Sequence, residues 1–255
     1  MKPPLRFLLA LGITLTASVS TAADARKKLV MLIAEHEYET AKTLPEFAAA
    51  RLASDFRVVI VTGSLAPGEN SLDPIGEVAD ADVLLVSVRR RTPPPAQLAA
   101  IRRHIAAGKP VVGIRTASHA FAVRKGQPLP AGHAEWTAWD AEVIGGNYTN
   151  HHGSGPSTTA SLTPEARADH PILRGVTLPF ASNSSLYKNT PLKPGAQPLI
   201  TGTIPGQPAE PLAWTFLRAD GGQTFYTSLG GPGDFQNPAF TQLLRNALLW
   251  AAAPR

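Results

Sequence analysis

Four short apolar runs organise the first half of the chain: residues 28–34 (KLVMLIA), 57–62 (RVVIVT), 81–88 (ADVLLVSV) and 110–114 (PVVGI). None alternates cleanly between apolar and polar positions. A strand covered by helices on both faces has this pattern, so each run predicts a buried strand of a parallel sheet. Between them, residues 44–54 place Leu44, Phe47, Ala48 and Leu52 near helical spacing. Residues 96–107 carry Leu98, Ile101 and Ile105 as one apolar stripe, stopped by Gly108, which suits a left-handed cap. Alternating strands and helices imply right-handed crossovers and helices on both faces of the sheet.

The pattern changes from Gly145 onward, where Gly, Pro, Asn, Ser and Thr abound. Short strand candidates lie at 158–162, 199–203, 211–217 and 223–228. They predict mixed or antiparallel strands, on the same sheet or on a small flanking one. A final helix is signalled by Asn237 as N-cap and Pro238 at its first position, with Phe240, Leu243, Leu244, Ala247, Leu248 and Ala251 on one face. With no internal repeat or low-complexity linker, one domain over 24–253 is the simplest organisation.

Residues 1–22 have the form of a secretory signal peptide. Lys2 and Arg6 precede an apolar stretch over 7–17, and Ser20-Thr21-Ala22 offers small residues for cleavage, with Thr21-Ala22-Ala23 an equal alternative. An uncleaved anchor is the competing reading, but the stretch falls short of the ~20 residues a bilayer needs. The expectation is a periplasmic or secreted protein of about 232 residues without stable membrane insertion after cleavage. The absence of cysteine excludes disulfides, thiol nucleophiles and thiolate metal ligands. Without Lys2 and Arg6 the formal charge of +5 falls to +3. The basic clusters Arg26-Lys27-Lys28 and Arg89-Arg90-Arg91 are not interleaved with aromatics, so nucleic acid is not an expected partner. Oligomeric state is open.

In an open parallel sheet, ligands bind beyond the carboxyl ends of the strands. That rule selects residues 35–40, 89–92 and 115–119, all polar or charged. Gly113 to His119 runs from a strand into a tight turn, the setting of a nucleophile elbow, but the elbow position is Arg115. A guanidinium stays protonated; it can hold an anion or a carbonyl oxygen and cannot attack one. Ser118 is either a displaced nucleophile beside His119 or, more simply, a helix N-cap. His151 and His152 follow a Gly-rich stretch; they suit a polar pocket, a metal or a solvated loop. Trp136 and Trp139 are core residues or a stacking platform for a sugar ring. Residues 230–235 (GGPGDF) lack dinucleotide-fingerprint spacing and form a turn from which Asp234 can reach the site.

Several stretches together resemble the ThuA-like (trehalose utilisation) domain, a branch of the class I glutamine amidotransferase-like superfamily. They include Glu37-Tyr38-Glu39-Thr40, Val88-Arg89-Arg90-Arg91 and Gly113 to Phe121. Gly145-Gly146-Asn147-Tyr148 with His151-His152-Gly153, His170 to Leu173 and Ser185 to Lys188 follow. Glu210 to Trp214, Phe225 to Gly230, Asp234-Phe235 and Asn237-Pro238 complete the set. The resemblance implies an α/β, flavodoxin-like three-layer sandwich with a mainly parallel sheet. It also implies a role in use of trehalose or related sugars, plausibly 3-keto-sugars. Glutamine amidotransferases keep a cysteine at the elbow; Arg115 stands there in this chain, so glutamine hydrolysis is not expected.

The resulting assignment makes Glu37 the base and His119 or His152 a proton carrier, with Arg115 and Arg90 holding the carbonyl or enediolate oxygen. Tyr38, Thr116, Ser118, Asn147, His151 and Asp234 line the sugar. Glu37→Gln and Arg115→Ala are each expected to abolish turnover and leave the fold intact. No cofactor is expected. The alternatives are a saccharide-binding module without chemistry, and a metal-assisted hydrolase built on His151, His152 and a carboxylate.

Overall fold

The computed structural model describes residues 24–64, 66, 69–153 and 155–254. The expected signal peptide, 1–22, lies outside the described residues. In chain order the elements are β1 (Lys27–Ala34), α1 (Thr40–Arg51), β2 (Phe56–Gly63), β3 (Leu72–Asp73), β4 (Val83–Val88), α2 (Pro95–Ala106) and β5 (Val111–Ile114). Then come β6 (Asn150–His151), β7 (Thr158–Leu162), β8 (Phe180–Ser182), β9 (Tyr187–Lys188), β10 (Ala196–Thr203), β11 (Glu210–Leu217), β12 (Gln223–Thr227) and α3 (Pro238–Ala252).

Ten strands form one sheet in the order β3-β2-β1-β4-β5-β12-β11-β10-β7-β8. The central five, β2-β1-β4-β5-β12, are parallel. Counted along the chain, their order is 2-1-3-4-5, the flavodoxin-like winding. The remaining four on one side, and β3 at the other edge, pair antiparallel. The strands of the second half therefore extend the main sheet. Among the described residues only β6 and β9 make a separate ribbon, with His151 opposite Tyr187.

Alternation along β1 divides the interior into two cores. Leu29, Met31 and Ile33 face α1 and α3; Val30, Leu32 and Ala34 face α2 and the Trp136–Trp139 segment. Every apolar residue expected on the three helices is buried. This is the three-layer sandwich: both faces of the parallel strands are covered, which explains their non-alternating sequence. Trp136 and Trp139 pack edge to face in the second core, 5.2 Å between centroids. Asn237 caps α3 by accepting from the Ala239 N–H at 2.9 Å, and Gly108 takes φ +66 after α2. The first helix starts at Thr40, four residues before its expected start, and carries Pro45 within its first two turns. Among the described residues no helix is long and apolar enough to cross a membrane.

Candidate functional site

Among the described residues three non-glycines have a positive φ: Glu39 (55°), Arg90 (50°) and Arg115 (46°). Each follows the carboxyl end of a central strand, β1, β4 or β5. Left-handed backbone is unfavourable for a residue with a Cβ and persists only where surrounding contacts enforce it. Here it turns the chain sharply at the switch point, where the order of the parallel strands reverses and a crevice opens.

Buried carboxylates clasp the loops that form this crevice. Glu35, at the end of β1, accepts four hydrogen bonds. Oε2 takes the N–H groups of Glu37 (2.6 Å) and Tyr38 (2.7 Å); Oε1 takes the N–H (2.8 Å) and hydroxyl (2.6 Å) of Thr40. Asp234 clasps the β12–α3 loop, accepting from the N–H groups of Gly230 and Gly231 and the hydroxyls of Ser182 and Ser184. Glu210 accepts from the N–H groups of Asn189 and Thr190 and from the Thr190 hydroxyl. These acids satisfy backbone donors that irregular chain would otherwise bury unpaired.

Arg115 is 1% exposed and forms part of the floor. Its Nη1 donates to the carbonyl oxygens of Ser185 (3.0 Å) and Ser228 (2.6 Å). Its Nη2 donates to Ser185 Oγ at 2.8 Å and lies 3.5 Å from the Tyr38 hydroxyl. The guanidinium carbon sits 4.5 Å from the Tyr38 ring centroid and 4.4 Å from that of Tyr187. Its own carbonyl accepts from Tyr226 Oη at 2.6 Å. Nε alone is buried without a partner. With its terminal donors taken by the protein, Arg115 supplies a fixed positive centre beneath the cleft rather than an open fork for a ligand. Arg115→Ala would strip donors from two carbonyls, so a cost in stability is expected beside any loss of turnover, where the sequence suggested an intact fold.

Two adjoining hollows share Glu37, Tyr38 and His151 as a common wall. One, about 270 Å³, continues past Arg115 to Ser184, Ser185 and Asp234. The other, about 240 Å³, is walled by Arg89, Arg90, Arg124, His119, Tyr148 and Tyr187. Glu37 pairs with Arg89, Oε2 to Nε 2.7 Å, and half of its side chain remains open to the cleft. His119 stacks on Tyr148 at 4.5 Å and 22°, and its Nδ1 lies 3.0 Å from Ser118 Oγ. Burial first, then the charges of Arg90, Arg89, Arg115 and Arg124, push its pKa down to about 3. The imidazole is therefore neutral at ordinary pH. The direction of the Ser118–His119 contact sets the tautomer: Ser118 Oγ donating to Nδ1 puts the ring proton on Nε2, and the reverse puts it on Nδ1.

A third hollow of about 310 Å³ lies behind His119 and is lined by Ser118, Trp139 and Asp140. Asp140 begins a π-helical turn, Asp140–Ile144. Its Oδ2 accepts from the Tyr148 N–H at 2.6 Å, while Oδ1 is sealed without a partner. Burial pushes its pKa up to about 7 against that hydrogen bond.

Glu37, Tyr38, Arg90, Arg115, His119, His151 and Asp234 thus converge on the paired hollows. Ser118 joins from the third. It does not cap a helix: it lies within a 3₁₀ turn, Arg115–His119, and its Oγ is 3.0 Å from the Nδ1 of the adjacent His119, a contact not expected between neighbours on an α-helix. His152, Thr116 and Asn147 line none of these hollows. His152 and Thr116 are buried, and Asn147 donates to the Thr190 carbonyl at 3.4 Å. His151 faces the cleft while His152 turns inward, and among the described residues no three of His, Asp and Glu are placed to share a metal. The sequence assigned no role to Glu35, Asp140, Tyr148, Tyr187 or Arg124, although Glu35 falls in the selected segment 35–40. Glu35 had one signal: an acid at the end of an apolar strand, followed by five polar residues whose N–H groups need acceptors. Asp140 and the rest are drawn in by long-range folding.

The winding order and the polar crevice at the switch point define an α/β protein of the flavodoxin-like, glutamine amidotransferase-like class without the amidotransferase nucleophile. The sequence matches the ThuA family, described as trehalose utilisation, over residues 20–251, and the chain belongs to that family. Solved structures agree at the level of fold. A ThuA-like protein from Bacteroides uniformis superposes with TM-score 0.65 and 16% identity, covering 92% of this chain and 95% of that one. One from Parabacteroides merdae gives TM-score 0.58 and 16% identity over 89% and 90%. A β-galactosidase from a Rahnella species gives TM-score 0.57 and 11% identity over 90% of this chain and 32% of its own. Among curated proteins none matches.

Proposed function

We propose that this chain is an exported protein that binds a sugar or 3-keto-sugar in the paired hollows and performs proton-transfer chemistry on it. The observation that carries the reading is the meeting of a half-open carboxylate, Glu37, a neutral imidazole, His119, and the Arg90 guanidinium on one polar cleft at the switch point. A 3-keto group acidifies the adjacent C–H. Glu37 takes that proton, and the charge moves onto the carbonyl oxygen as an enediolate. With Ser118 Oγ donating to Nδ1, the His119 Nε2–H and the Arg90 guanidinium are suited to hold that oxygen, and Arg115 adds positive potential from below. The protonated Glu37 then returns the proton to C3 while the C2 hydroxyl proton passes to the former carbonyl oxygen, giving isomerisation, or gives it to the oxygen leaving from C1, giving eliminative cleavage. The depressed pKa of His119 suits an uncharged hydrogen-bond donor better than a cationic acid. The trehalose-utilisation family and the sugar-sized cleft support the substrate class; the N-terminal pattern supports export.

The test is deuterium exchange and product analysis by NMR with 3-keto-trehalose and trehalose in D₂O. The parent protein is expected to exchange or cleave next to the keto group. Glu37→Gln should lose roughly 10²–10⁴-fold in rate with its melting temperature retained. Normal rates in Glu37→Gln would remove the assignment. A second reading, a saccharide-binding module, draws on the missing nucleophile and the many hydrogen-bond donors. Calorimetric binding with unchanged sugar would favour it.

A further inference from the structure

The second hollow contains more positive charge than a neutral sugar calls for. Arg89, Arg90 and Arg124 line it, and the charge of Glu37 is taken up by Arg89 at 2.7 Å. Among the described residues neither Arg90 nor Arg124 pairs with a carboxylate, and the one hydrogen bond of the Arg90 guanidinium goes to the Val123 carbonyl at 3.4 Å. Two unpaired guanidinium groups at one cleft repel each other. The pKa of Arg90 reflects this: it is lowered by burial first and by Arg124 next. The position of Arg90 is nonetheless enforced. Its φ of 50° is unfavourable, and its N–H is tied to the His119 carbonyl at 3.0 Å.

Two phenols face the same hollow. Burial raises the pKa of Tyr148 and Tyr187, so both phenols keep their protons. Among the described residues neither hydroxyl has a hydrogen-bond partner. A neutral sugar hydroxyl could be served by Thr149, Asn150 or His151 in the same wall, but it would leave the charge of two guanidinium groups unbalanced. A carboxylate or phosphate only accepts, and matches a wall of guanidinium and phenol donors. Resting on the sugar-binding reading above, we infer that the ligand is an acidic sugar whose anionic group sits between Arg90 and Arg124, with Tyr148 and Tyr187 donating to it.

Isothermal titration calorimetry of the full mature chain with D-glucuronate, D-glucose 6-phosphate, D-glucose and inorganic phosphate tests this, at about 20 mM and about 200 mM salt. The expected result is that at least one acidic sugar binds roughly tenfold or more tighter than glucose and tighter than free phosphate. That preference should fall in Arg124→Gln and in Arg90→Gln, weaken at the higher salt, and persist in Arg103→Gln on the exposed face of α2. Arg124 is exposed, so its substitution leaves the fold undisturbed. The pairing of glucuronate with glucose 6-phosphate tells a carboxylate from a phosphate. Equal affinity for glucose and both acids would overturn the inference while leaving sugar binding in place. Phosphate binding as well as the acidic sugars would show an anion site with no sugar component and overturn it too. An acid preference unchanged in both arginine variants would place the anion elsewhere and refute it. No binding by any of the four would remove this inference and count against the sugar reading as well.

Discussion

Glu35→Gln isolates the clasp that shapes the cleft. The substitution keeps size and shape, and exchanges one carboxylate oxygen for an NH₂. Each oxygen of Glu35 accepts from two donors, so the amide nitrogen must face a pair that it cannot serve. The least damaging placement is opposite Thr40. There the hydroxyl can turn and accept, since Ser87 Oγ, which now donates to it at 2.9 Å, can turn away. The Thr40 N–H has no such escape and loses its acceptor. An orphaned buried N–H costs about 1–3 kcal/mol. Loss of the negative charge also weakens the two bonds that remain, each by about 0.5 kcal/mol or more. The total is about 2–4 kcal/mol. At about 2–4 °C per kcal/mol for a chain of this size, the melting temperature should fall by about 5–15 °C. Circular-dichroism melts at pH 7 give that number. Hydrogen exchange should show the Thr40 amide losing protection ahead of the amides of β1. A melting temperature within about 2 °C of the parent, with Thr40 still protected, would refute the claim that this carboxylate holds the loop carrying Glu37 and Tyr38.

Other consequences can be measured independently. Arg115→Lys retains the charge but replaces a planar fork with a point donor, and cannot reach the Ser185 and Ser228 carbonyls and Ser185 Oγ together; a loss of about 1–3 kcal/mol is expected in urea melts, and full stability would refute the pinned role. Burial lowers the pKa of His104 to about 4 and that of His119 to about 3. Both histidines bind their proton in the unfolded chain near 6.5 before they do in the fold, so their contribution to stability is present above pH 6.5 and is lost as pH falls toward 4. His104→Asn should flatten that decline, and an unchanged pH profile would count against it. Asp140 runs the other way: its folded pKa is raised from 3.8 to about 7, so its cost to stability opens as pH rises above 3.8 and is complete above about 7; Asp140→Asn should raise the melting temperature most at pH 8, less at pH 5, and leave it nearly unchanged only below pH 4. Protein expressed from the full-length gene should begin at residue 23 or 24 by N-terminal sequencing, and an intact Met1 would remove the export proposal.

The sequence alone determined the parallel half of the fold. Runs such as KLVMLIA and ADVLLVSV are apolar at consecutive positions, and only a strand covered on both faces tolerates that. Stripes at helical spacing determined the helices, and the polar residues following β1, β4 and β5 marked the end of the sheet where the crevice lies. What followed from these local signals was legible: the class, the position of the crevice, and Glu37, Tyr38, Arg90, Arg115 and His119 among the residues that line it. Tertiary structure decided what those groups are free to do. Arg115 occupies the elbow as its neighbours in sequence suggested, yet its donors are taken by Ser185 and Ser228, some 70 and 113 residues further along the chain. Tyr148 and Tyr187 enter the cleft on the β6–β9 ribbon side, and Asp140 is sealed behind His119, through contacts that no local pattern encodes. His151 and His152 are neighbours in the chain, yet His151 ends β6 facing the cleft while His152, just beyond it, turns inward with its N–H on the Leu186 carbonyl. Periodicity records which positions face apolar surroundings; whether a donor is spent or available depends on acceptors delivered from elsewhere in the chain, and that is settled when the chain folds.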